Sequence, residues 1–306
     1  MEEEFEFSDL HLVSMRKLER LLGRSREDIR RIAGCAGRLY DPFYIAKADG
    51  RKRRIDNPSP ELKQYQSRIQ TMLSRRIRLP ENVLGGVVGK SIRDNAIRHV
   101  GKVLVVTLDL KNCFGSIGHR AVFEVYRRHG CSDEIAGILT QLTTLQDRLP
   151  QGAPTSGTLA NLVLLPLHLK VTRLAKGLGV GVSFWVDDIA FSGDRALELI
   201  EPTILAAREL GLSIGCRKKK IMPRCSQQWV TGVTVNRKIS QGRRVIDDIR
   251  KEIIGVRSRL KEAKISSMRG RISHAKMLCI EQGAPLEALF ERVVLGKKRG
   301  GMSCEN

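Results

Sequence analysis

The sequence predicts an α+β fold in which short antiparallel hairpins pack against helices. Two segments alternate apolar and other residues around a tight turn: residues 43–55, around Asp49-Gly50, and residues 180–193, around Asp187-Asp188. The pattern from Val245 to the end is helical in three pieces, broken near residues 265–267 and 283–285. With 306 residues and 42% hydrophobic content, the chain is long enough for one large domain or two modest ones.

The charge balance indicates a polyanionic partner. Lys and Arg number 54 against 33 Asp and Glu, a net charge of +21, which is unusual for an enzyme of neutral metabolites. Nucleic acid is the commonest such partner. A membrane surface is the alternative, but no apolar run approaches the length of a spanning helix, and the basic residues are spread along the chain. The acidic start, residues 1–6, does not resemble a signal or transit peptide. We therefore expect a cytoplasmic protein without a membrane partner.

The cysteines do not indicate a metal site. Seven are scattered along the chain, with no CxxC and no Cys/His pair at zinc-ligand spacing. We interpret them as reduced thiols without a metal role.

The first hundred residues combine a helical layer with a basic hairpin. Residues 8–33 show two helical pieces, the second capped by Ser25 with Asp28 three residues on. The hairpin at 43–55 carries Lys47 and Arg53, and a helix with a basic face follows to about residue 78. Its basic run, residues 51–54, suits either a solvated edge strand or a site that neutralises a triphosphate.

Three carboxylates are candidates for one metal site. Asp187 and Asp188 could be solvated in their turn or could cap backbone N–H groups, whereas a divalent metal site usually needs a third acid from elsewhere. The apolar strand 103–108 ends in Asp109, and an acid at the end of a buried strand is expected to face a cleft. Before this strand, Gly89-Lys90-Ser91 lacks the spacing of a phosphate-binding loop, so we reject that interpretation.

The remaining segments predict helices, loops and one more strand pair. Phe114 begins a turn before a helix at about 120–129, and a long helix is predicted over 158–174. The turn-rich loop 149–157 is either a plain connector or a loop that positions a ligand. A basic run at 217–220 precedes a strand pair within 228–236. The segment from residue 241 onward contains 15 basic and 8 acidic residues, so we expect the end of the chain to be a basic helical module.

This order of features resembles the fingers and palm of a reverse transcriptase, from about Tyr44 to the end of the chain. The segment 95–99, Asn-Ala-Ile-Arg-His, matches the NAxxH motif, and Val230-Thr231-Gly232 matches the VTG motif. Both motifs are associated with bacterial retron reverse transcriptases. The resemblance implies a right-hand polymerase fold with fingers, a palm whose small antiparallel sheet packs on helices, and a helical thumb. The implied divisions are an N-terminal helical extension at 1–40, fingers at 41–100, a palm with interleaved finger segments at 101–239, and a basic helical thumb at 240–306.

The resemblance also implies residue roles. Asp109, Asp187 and Asp188 correspond to the catalytic acids that bind two Mg²⁺ ions. The residues implied to bind the dNTP are Lys47, Arg53, Phe114, Gln151, Gly152, Lys219 and Lys220, with Phe114 as the aromatic gate against ribonucleotides. The residues expected to contact nucleic acid are Asn95, His99, Trp185, Arg243, Arg244, Arg269 and Arg271.

The chain departs from the family pattern at several positions. Trp185-Val186 stand before the two acids where the family usually has Tyr-Ala, and Gly157 stands where proline is common. Asn112-Cys113 and Gly115 replace a common Asp-Phe and Pro. None of these changes removes a metal ligand, so they bear on fidelity and rate more than on the reaction.

The implied function is RNA-directed DNA polymerisation on a structured noncoding RNA. Retron enzymes prime from an RNA 2′-hydroxyl and make a branched RNA–DNA (msDNA) used in anti-phage defence. The implied partners are this template and primer RNA, its DNA product, dNTPs, a separate effector protein and a host ribonuclease H, because the sequence shows no ribonuclease H segment or nuclease motif.

Two alternatives remain. A reverse-transcriptase-like RNA-binding scaffold with little polymerisation would be expected to have lost one of the three acids. Another polymerase branch, such as an intron maturase or a different defence-associated reverse transcriptase, is disfavoured by the compact chain and the two retron-type motifs.

Overall fold

The computed structural model describes residues 9–46, 50–215, 219–256 and 262–296, and it confirms the α+β class. The helices are α1 Met15–Leu22, α2 Arg26–Cys35, α3 Pro60–Arg76, α4 Ile92–Ile97, α5 Cys113–Ser116, α6 His119–Arg128, α7 Asp133–Thr143, α8 Ser156–Val163, α9 Leu165–Leu178, α10 Ile200–Glu209, α11 Arg243–Ile254, α12 Glu262–Leu278 and α13 Ile280–Phe290. The strands are β1 Tyr40–Ala46, β2 Lys52–Pro58, β3 Leu104–Asp109, β4 Gly181–Trp185, β5 Asp188–Ser192, β6 Lys220–Pro223, β7 Trp229–Val230, β8 Val233–Thr234 and β9 Ser240–Gln241. None of these helices is long and apolar enough to cross a membrane.

Three antiparallel sheets organise the strands. β1 and β2 form a two-stranded ribbon, and β7, β8 and β9 form a small three-stranded sheet. The central sheet has the order β4-β5-β3-β6, so the predicted apolar strand β3 lies between two neighbours. A strand paired on both sides is held in place by two hydrogen-bonded ladders, which makes its end a rigid platform for a site.

The N-terminal helices belong to the main core. Leu18 and Leu22 of α1 and Ile29 of α2 are fully buried, and α1 packs against α3 while α2 packs against α7. The predicted cap is confirmed, since the Ser25 side chain accepts a hydrogen bond from the Asp28 N–H. Burying side chains of this size contributes about 1.5–3 kcal/mol each, so this layer adds to the stability of the main core.

The long helix predicted over 158–174 is wrong in one respect. Two helices, α8 and α9, meet at Leu164, and Pro166 lies in the first turn of the second. Proline has no N–H to donate and is tolerated in a first turn, so the chain begins a new helix there.

The C-terminal helices break at other places than predicted. α12 continues through residues 265–267, and α13 contains Pro285. A Cβ at Gly283 would overlap the backbone of Lys276, so this glycine permits close crossing of α12 and α13 and does not end a helix.

The C-terminal helices have their own apolar cluster and a polar link to β9. Ile249, Ile253 and Ile272 are among its buried residues. The Gln241 N–H donates to Gln282 Oε1 at 2.8 Å, and Gln282 Nε2 donates back to the Gln241 carbonyl at 3.1 Å. This reciprocal pair joins the last strand to α13.

Candidate active site

The hairpin β4–β5 presents the two adjacent acids at a strained turn. Trp185 pairs with Asp188 across the ladder, which leaves Val186 and Asp187 as the two loop residues. Val186 has φ of 56°, in the left-handed region that β-branched residues rarely adopt. Such a conformation costs about 1–3 kcal/mol and persists where the surroundings enforce it.

Gly85 braces this turn from below. The Leu84 N–H donates to the Phe184 carbonyl at 2.8 Å, and the Phe184 N–H donates to the Asn82 carbonyl at 2.8 Å, so this loop runs along β4. A Cβ at Gly85 would lie 2.6 Å from the Val186 nitrogen. Asn161 Nδ2 donates to the Gly85 carbonyl at 2.7 Å and fixes the loop from α8. The turn therefore rests on a backbone surface that only glycine permits.

The third predicted acid lies opposite the hairpin. Asp109 and Asp188 are direct cross-strand partners of β3 and β5. The Leu110 N–H donates to the Asp187 carbonyl at 2.9 Å. Burial first, then the charges of Asp187 and Asp109, raises the pKa of the buried Cys113 thiol to about 12, so both acids act on the space that Cys113 borders. The structure thus brings the three acids to one end of the central sheet.

The chemistry of these donors fits a hard divalent cation. Carboxylate oxygens on rigid elements are the ligands that Mg²⁺ prefers. Within the described ranges, however, no group of three or more His, Cys, Asp or Glu side chains is arranged to hold a metal ion. The backbone places the donors together, and the carboxylate side chains would have to converge to close a coordination shell.

A basic cavity of about 340 Å³ lies beside the acids. Asp187 is part of its wall, and Lys52, Arg53 and Arg54 of β2 and Arg148 provide positive charge. The cavity also includes Phe114 and Gln151, two of the residues expected at a dNTP. Its size and charge suit a nucleoside triphosphate.

Asp56 connects the basic strand β2 to the loop that contains Gln151 and Gly152. Its carboxylate accepts hydrogen bonds from Arg54 Nε at 2.7 Å and from the Gln151 N–H at 3.3 Å. Its own N–H donates to the Gln151 carbonyl at 2.8 Å. Gly152, with φ of 128°, packs against Ile55 and the Asp56 carbonyl. Gln151 and Gly152 are therefore fixed relative to the basic residues of β2.

A second cavity of about 210 Å³ also borders the acids. Asp109 and Asp188 form one wall, and Asn95, Trp229 and Thr231 contribute to the rest. The two retron-type motifs, far apart in sequence, therefore meet at this cavity.

Lys220 borders the second cavity, together with Asp109 and Asp188, and does not border the basic one. Its ammonium lies 3.9 Å from the centre of the exposed Trp229 ring, a cation–π contact. Its expected role at a dNTP stays a prediction. Lys219 is exposed and borders neither of these two cavities.

The expectation that His99 contacts nucleic acid is corrected by the structure, because its side chain is fully buried. Its Nδ1 lies 2.8 Å from Ser192 Oγ and its Nε2 lies 2.7 Å from Ser183 Oγ, so the imidazole joins β4 to β5. Burial, with smaller contributions from nearby cations, lowers the pKa of His99 to about 4. The ring is thus a neutral structural group below the hairpin, out of reach of nucleic acid.

A second buried histidine lies against the same hairpin. The His168 ring of α9 is 4.2 Å from the Phe184 ring, centre to centre. Burial lowers the pKa of His168 to about 3. Neither ring nitrogen has a hydrogen-bond partner among the described residues.

The other predicted residues are dispersed. Trp185 is half-buried at the hairpin, and Arg243 and Arg244 are exposed at the start of α11. Arg269 of α12 lies 5.9 Å from the Phe290 ring, and Arg271 pairs with Glu252. Lys47 lies outside the described residues.

Sequence reasoning missed Asp56, Asn112 and Arg148 at the basic cavity. Lys52 and Arg54 belong to the basic run 51–54, for which a site that neutralises a triphosphate was one of the two interpretations. Nothing in the sequence pattern connects Asp56 or Arg148 with this cavity, because folding alone brings them there.

Comparison with known proteins gives a consistent result. The family model described as "Reverse transcriptase (RNA-dependent DNA polymerase)" matches residues 45–235. The retron Mx65 reverse transcriptase of Myxococcus xanthus is 32% identical over 81% of this chain and 64% of that protein. The retron Ec86 reverse transcriptase of Escherichia coli is 28% identical over 88% of this chain and 87% of that protein. The retron Mx162 reverse transcriptase of Myxococcus xanthus is 30% identical over 64% of this chain and 47% of that protein, so this chain spans about half to two thirds of the two Myxococcus relatives.

Among solved structures, the chain is similar in fold to apo telomerase from Candida tropicalis. The TM-score is 0.53 at 11% identity, covering 83% of this chain and 58% of that chain. The match to the family model over most of the chain, together with several similar retron proteins, shows that this chain belongs to the reverse transcriptase family.

Proposed function

We propose that the chain is an RNA-directed DNA polymerase, and that Asp109, Asp187 and Asp188 are its catalytic acids. One observation carries the proposal: the acids at the paired ends of β3 and β5 border two cavities, a basic one at Asp187 and an aromatic one at Asp109 and Asp188. A polymerase needs room beside its acids for both an incoming triphosphate and a primer end. The membership of the chain in the reverse transcriptase family supports this assignment.

The basic cavity would bind the incoming dNTP. Arg53 can pair bidentately with phosphate oxygens, and Lys52 and Arg148 add charge at the same wall. The Phe114 ring would occupy the space that a ribonucleotide 2′-hydroxyl needs, which would select deoxyribonucleotides. Gln151, fixed to β2 through Asp56, would contact the incoming nucleotide.

The three acids would hold divalent metal, which members of this family generally use. When bound, two Mg²⁺ ions would activate the primer hydroxyl and stabilise the departing pyrophosphate. The protein's part is to fix the carboxylates on adjacent strands, with Gly85 holding the turn that carries Asp187.

We propose further that the chain works as a retron-type enzyme in the cytoplasm. Its relatives are named retron reverse transcriptases, and its NAxxH and VTG motifs border the same cavity. The template would be a structured noncoding RNA that primes from a 2′-hydroxyl and becomes part of a branched msDNA. A separate effector and a host ribonuclease H would complete its role in anti-phage defence.

The proposed divisions follow the same scheme. Residues 41–100 would form fingers, residues 101–239 a palm with interleaved finger segments, and residues 240–306 a thumb, with residues 1–40 as an N-terminal extension. Arg243, Arg244 and Arg269 are exposed on the C-terminal helices and would contact phosphates of the template and product.

The test is primer extension with Asp188→Asn on an RNA template with an annealed DNA primer, dNTPs and Mg²⁺. The loss of one carboxylate from the cross-strand pair should abolish incorporation. Asp194→Asn is the matched control, because this exposed acid lies just beyond β5, and it should retain activity. Wild-type incorporation by Asp188→Asn would refute the proposed site.

A separate measurement tests the retron-type assignment. Nucleic acid that copurifies with the protein should contain a 2′–5′ branch, detected by its change in gel mobility after debranching. An active polymerase that carries only linear RNA would contradict this part of the proposal and leave the polymerase assignment in place.

A further inference from the structure

The VTG motif forms a tight turn with a strained backbone. Val230 pairs with Val233 across the hairpin β7–β8. The two loop residues between them, Thr231 and Gly232, have φ of 48° and 80°. Two-residue hairpin loops with positive φ favour Asn, Asp or Gly at the first position, and a β-branched residue is unfavourable there. Contacts with the rest of the fold must therefore hold Thr231 in this conformation.

Asn95 of α4 supplies such a contact. Its Nδ2 donates to Thr231 Oγ1 at 3.2 Å, although the two residues are 136 positions apart in sequence. Asn95 is 1% exposed, so the hydrogen bond is shielded from water on the side of α4. The next residue, Ala96, is buried in one apolar cluster with Val230 and Val233. The helix is therefore both packed against the turn and bonded to it.

The same segment is bonded to the hairpin that carries the acids. The His99 ring, in the turn that follows α4, lies within hydrogen-bond distance of Ser183 Oγ in β4 and Ser192 Oγ in β5. Asp188 is the first residue of β5. The short segment 92–99 therefore connects the β7–β8 hairpin with the hairpin that ends in the acids.

Trp229 lies directly before the strained turn. It is 43% exposed and borders the second cavity together with Asp109 and Asp188. The start of β7 is held separately, because the buried Gln228 Nε2 donates to a main-chain carbonyl of β6 at 3.0 Å. The strand contains two residues, so a movement of the turn would also move the Trp229 ring.

We propose that Asn95 and Thr231 are positioning residues for the primer end: their hydrogen bond, made through α4, keeps the Trp229 ring in one place beside the acids. The inference rests on the proposed polymerase function and assigns a common role to the two motifs. Neither residue needs to touch the nucleic acid, because the ring makes that contact. Loss of the bond releases the ring and weakens binding of the primer–template, while the dNTP in the basic cavity is bound as before.

The experiment is a double-mutant cycle with Thr231→Val and Trp229→Ala, measured as the KM for the primer–template in primer extension. Thr231→Val removes the hydroxyl and keeps the branched shape, so this KM should rise about five-fold, the loss expected for one hydrogen bond. In the Trp229→Ala background the same change should have no further effect, because the ring through which it acts is absent. The KM for dNTP should be unchanged in Thr231→Val, and Thr231→Ser should keep both wild-type constants.

Thr172→Val is a matched control. Thr172 Oγ1 also accepts a hydrogen bond from an asparagine, Asn82 Nδ2, at 2.8 Å, and Thr172 is half-buried like Thr231. It does not border the second cavity, so its replacement should leave the KM for the primer–template unchanged. Asn95→Ala removes the other partner and should reproduce the effect of Thr231→Val. If Asn95→Ala does not fold, the cycle with Thr231→Val is sufficient.

Two results would overturn the inference. One is an unchanged KM for the primer–template in Thr231→Val. The other is a five-fold rise that persists in the Trp229→Ala background, since the hydroxyl would then act independently of the ring. If Trp229→Ala alone leaves this KM unchanged, the second cavity does not bind the primer, and the inference fails with that assignment. Failure of the wild-type enzyme to extend any primer would instead refute the proposed function.

Discussion

The two cavities that border the three acids have no lining residue in common and differ in chemistry. The basic cavity gathers Lys52, Arg53 and Arg54 against Asp187, whereas the second cavity has a Trp229 ring, one stacked Lys220 and the Asn95 amide. Under the proposed function, charge would dominate recognition in the basic cavity, and stacking on Trp229 would dominate in the second. The two cavities would therefore bind different substrates, so a substitution in one cavity should leave the KM of the substrate in the other unchanged.

The largest effect is expected from Arg53→Ala. It removes charge-assisted hydrogen bonds to the triphosphate, worth about 1.5–3 kcal/mol, so the KM for dNTP should rise about 10- to 100-fold. The KM for the primer–template should change little. Steady-state kinetics with each substrate varied in turn measures both, with the exposed Arg75→Ala of α3 as a control for lost surface charge. An equal rise in both constants would break the comparison.

Trp229→Ala tests the opposite side. Stacking of a base on an aromatic ring contributes about 1–3 kcal/mol, so the KM for the primer–template should rise about ten-fold while the KM for dNTP holds. Trp229→Phe keeps a ring and should behave close to wild type. If the dNTP constant alone responded, the two cavities would have to be assigned the other way round.

Phe114→Ala should have a smaller effect, confined to the choice of sugar. Removing the ring opens space in the basic cavity, and discrimination between dNTP and rNTP should fall about five-fold, equivalent to the roughly 1 kcal/mol at the lower end for small steric differences in a pocket. Single-nucleotide incorporation with matched dNTP and rNTP gives the ratio, and Phe114→Tyr should retain it. A constant ratio in Phe114→Ala would place sugar selection elsewhere.

His168→Leu should have the smallest effect on kinetics and a clear effect on stability. The substitution removes two buried ring nitrogens that have no hydrogen-bond partner among the described residues. The free energy of unfolding at pH 7 should therefore rise by about 1–2 kcal/mol. Both KM values should be unchanged. A lower stability would show that the stacking of His168 on Phe184 outweighs the cost of its unpaired nitrogens.

The stability of His168→Leu at acidic pH gives a sharper measurement. Burial lowers the pKa of His168 to about 3, so the unfolded chain takes up a proton as the pH falls below 6.5 and the folded chain does not. Wild-type stability therefore falls as the pH drops from 6.5 toward 3, by roughly 2 kcal/mol at pH 5 from this group. His168→Leu should lose this component, while His99, with a pKa of about 4, contributes equally in both proteins. Urea unfolding at pH 7 and pH 5 tests the difference.

Much of the fold followed from the sequence because local patterns specify it. The apolar strand ending in Asp109, the hairpin carrying Asp188 and the Ser25 cap each depend on neighbouring residues, and the structure has all three. The helix end predicted at Gly283 is wrong, because this glycine lies within α13 and allows α12 to pack closely against it. A local sequence pattern does not reveal such a contact.

The candidate site was only partly predictable, because its walls come from distant segments. Asp56 meets Gln151 across 95 positions of sequence, and no periodicity encodes that approach. His99 and Asn95 belong to one motif and both are buried, yet His99 joins two strands of the hairpin whereas Asn95 borders a cavity. Residue identity shows which chemistry is available, and the surroundings of each side chain in the fold decide its role.

The glycine beneath the acidic turn limits how this protein can be engineered. Any side chain at position 85 would displace the backbone of Trp185 and Val186, and with it the neighbouring Asp187. Libraries built to select faster or more accurate variants gain nothing by varying Gly85, whereas this contact does not restrict the side chains at positions 185 and 186. Gly85 is therefore a position of the chain at which only glycine fits the acidic turn.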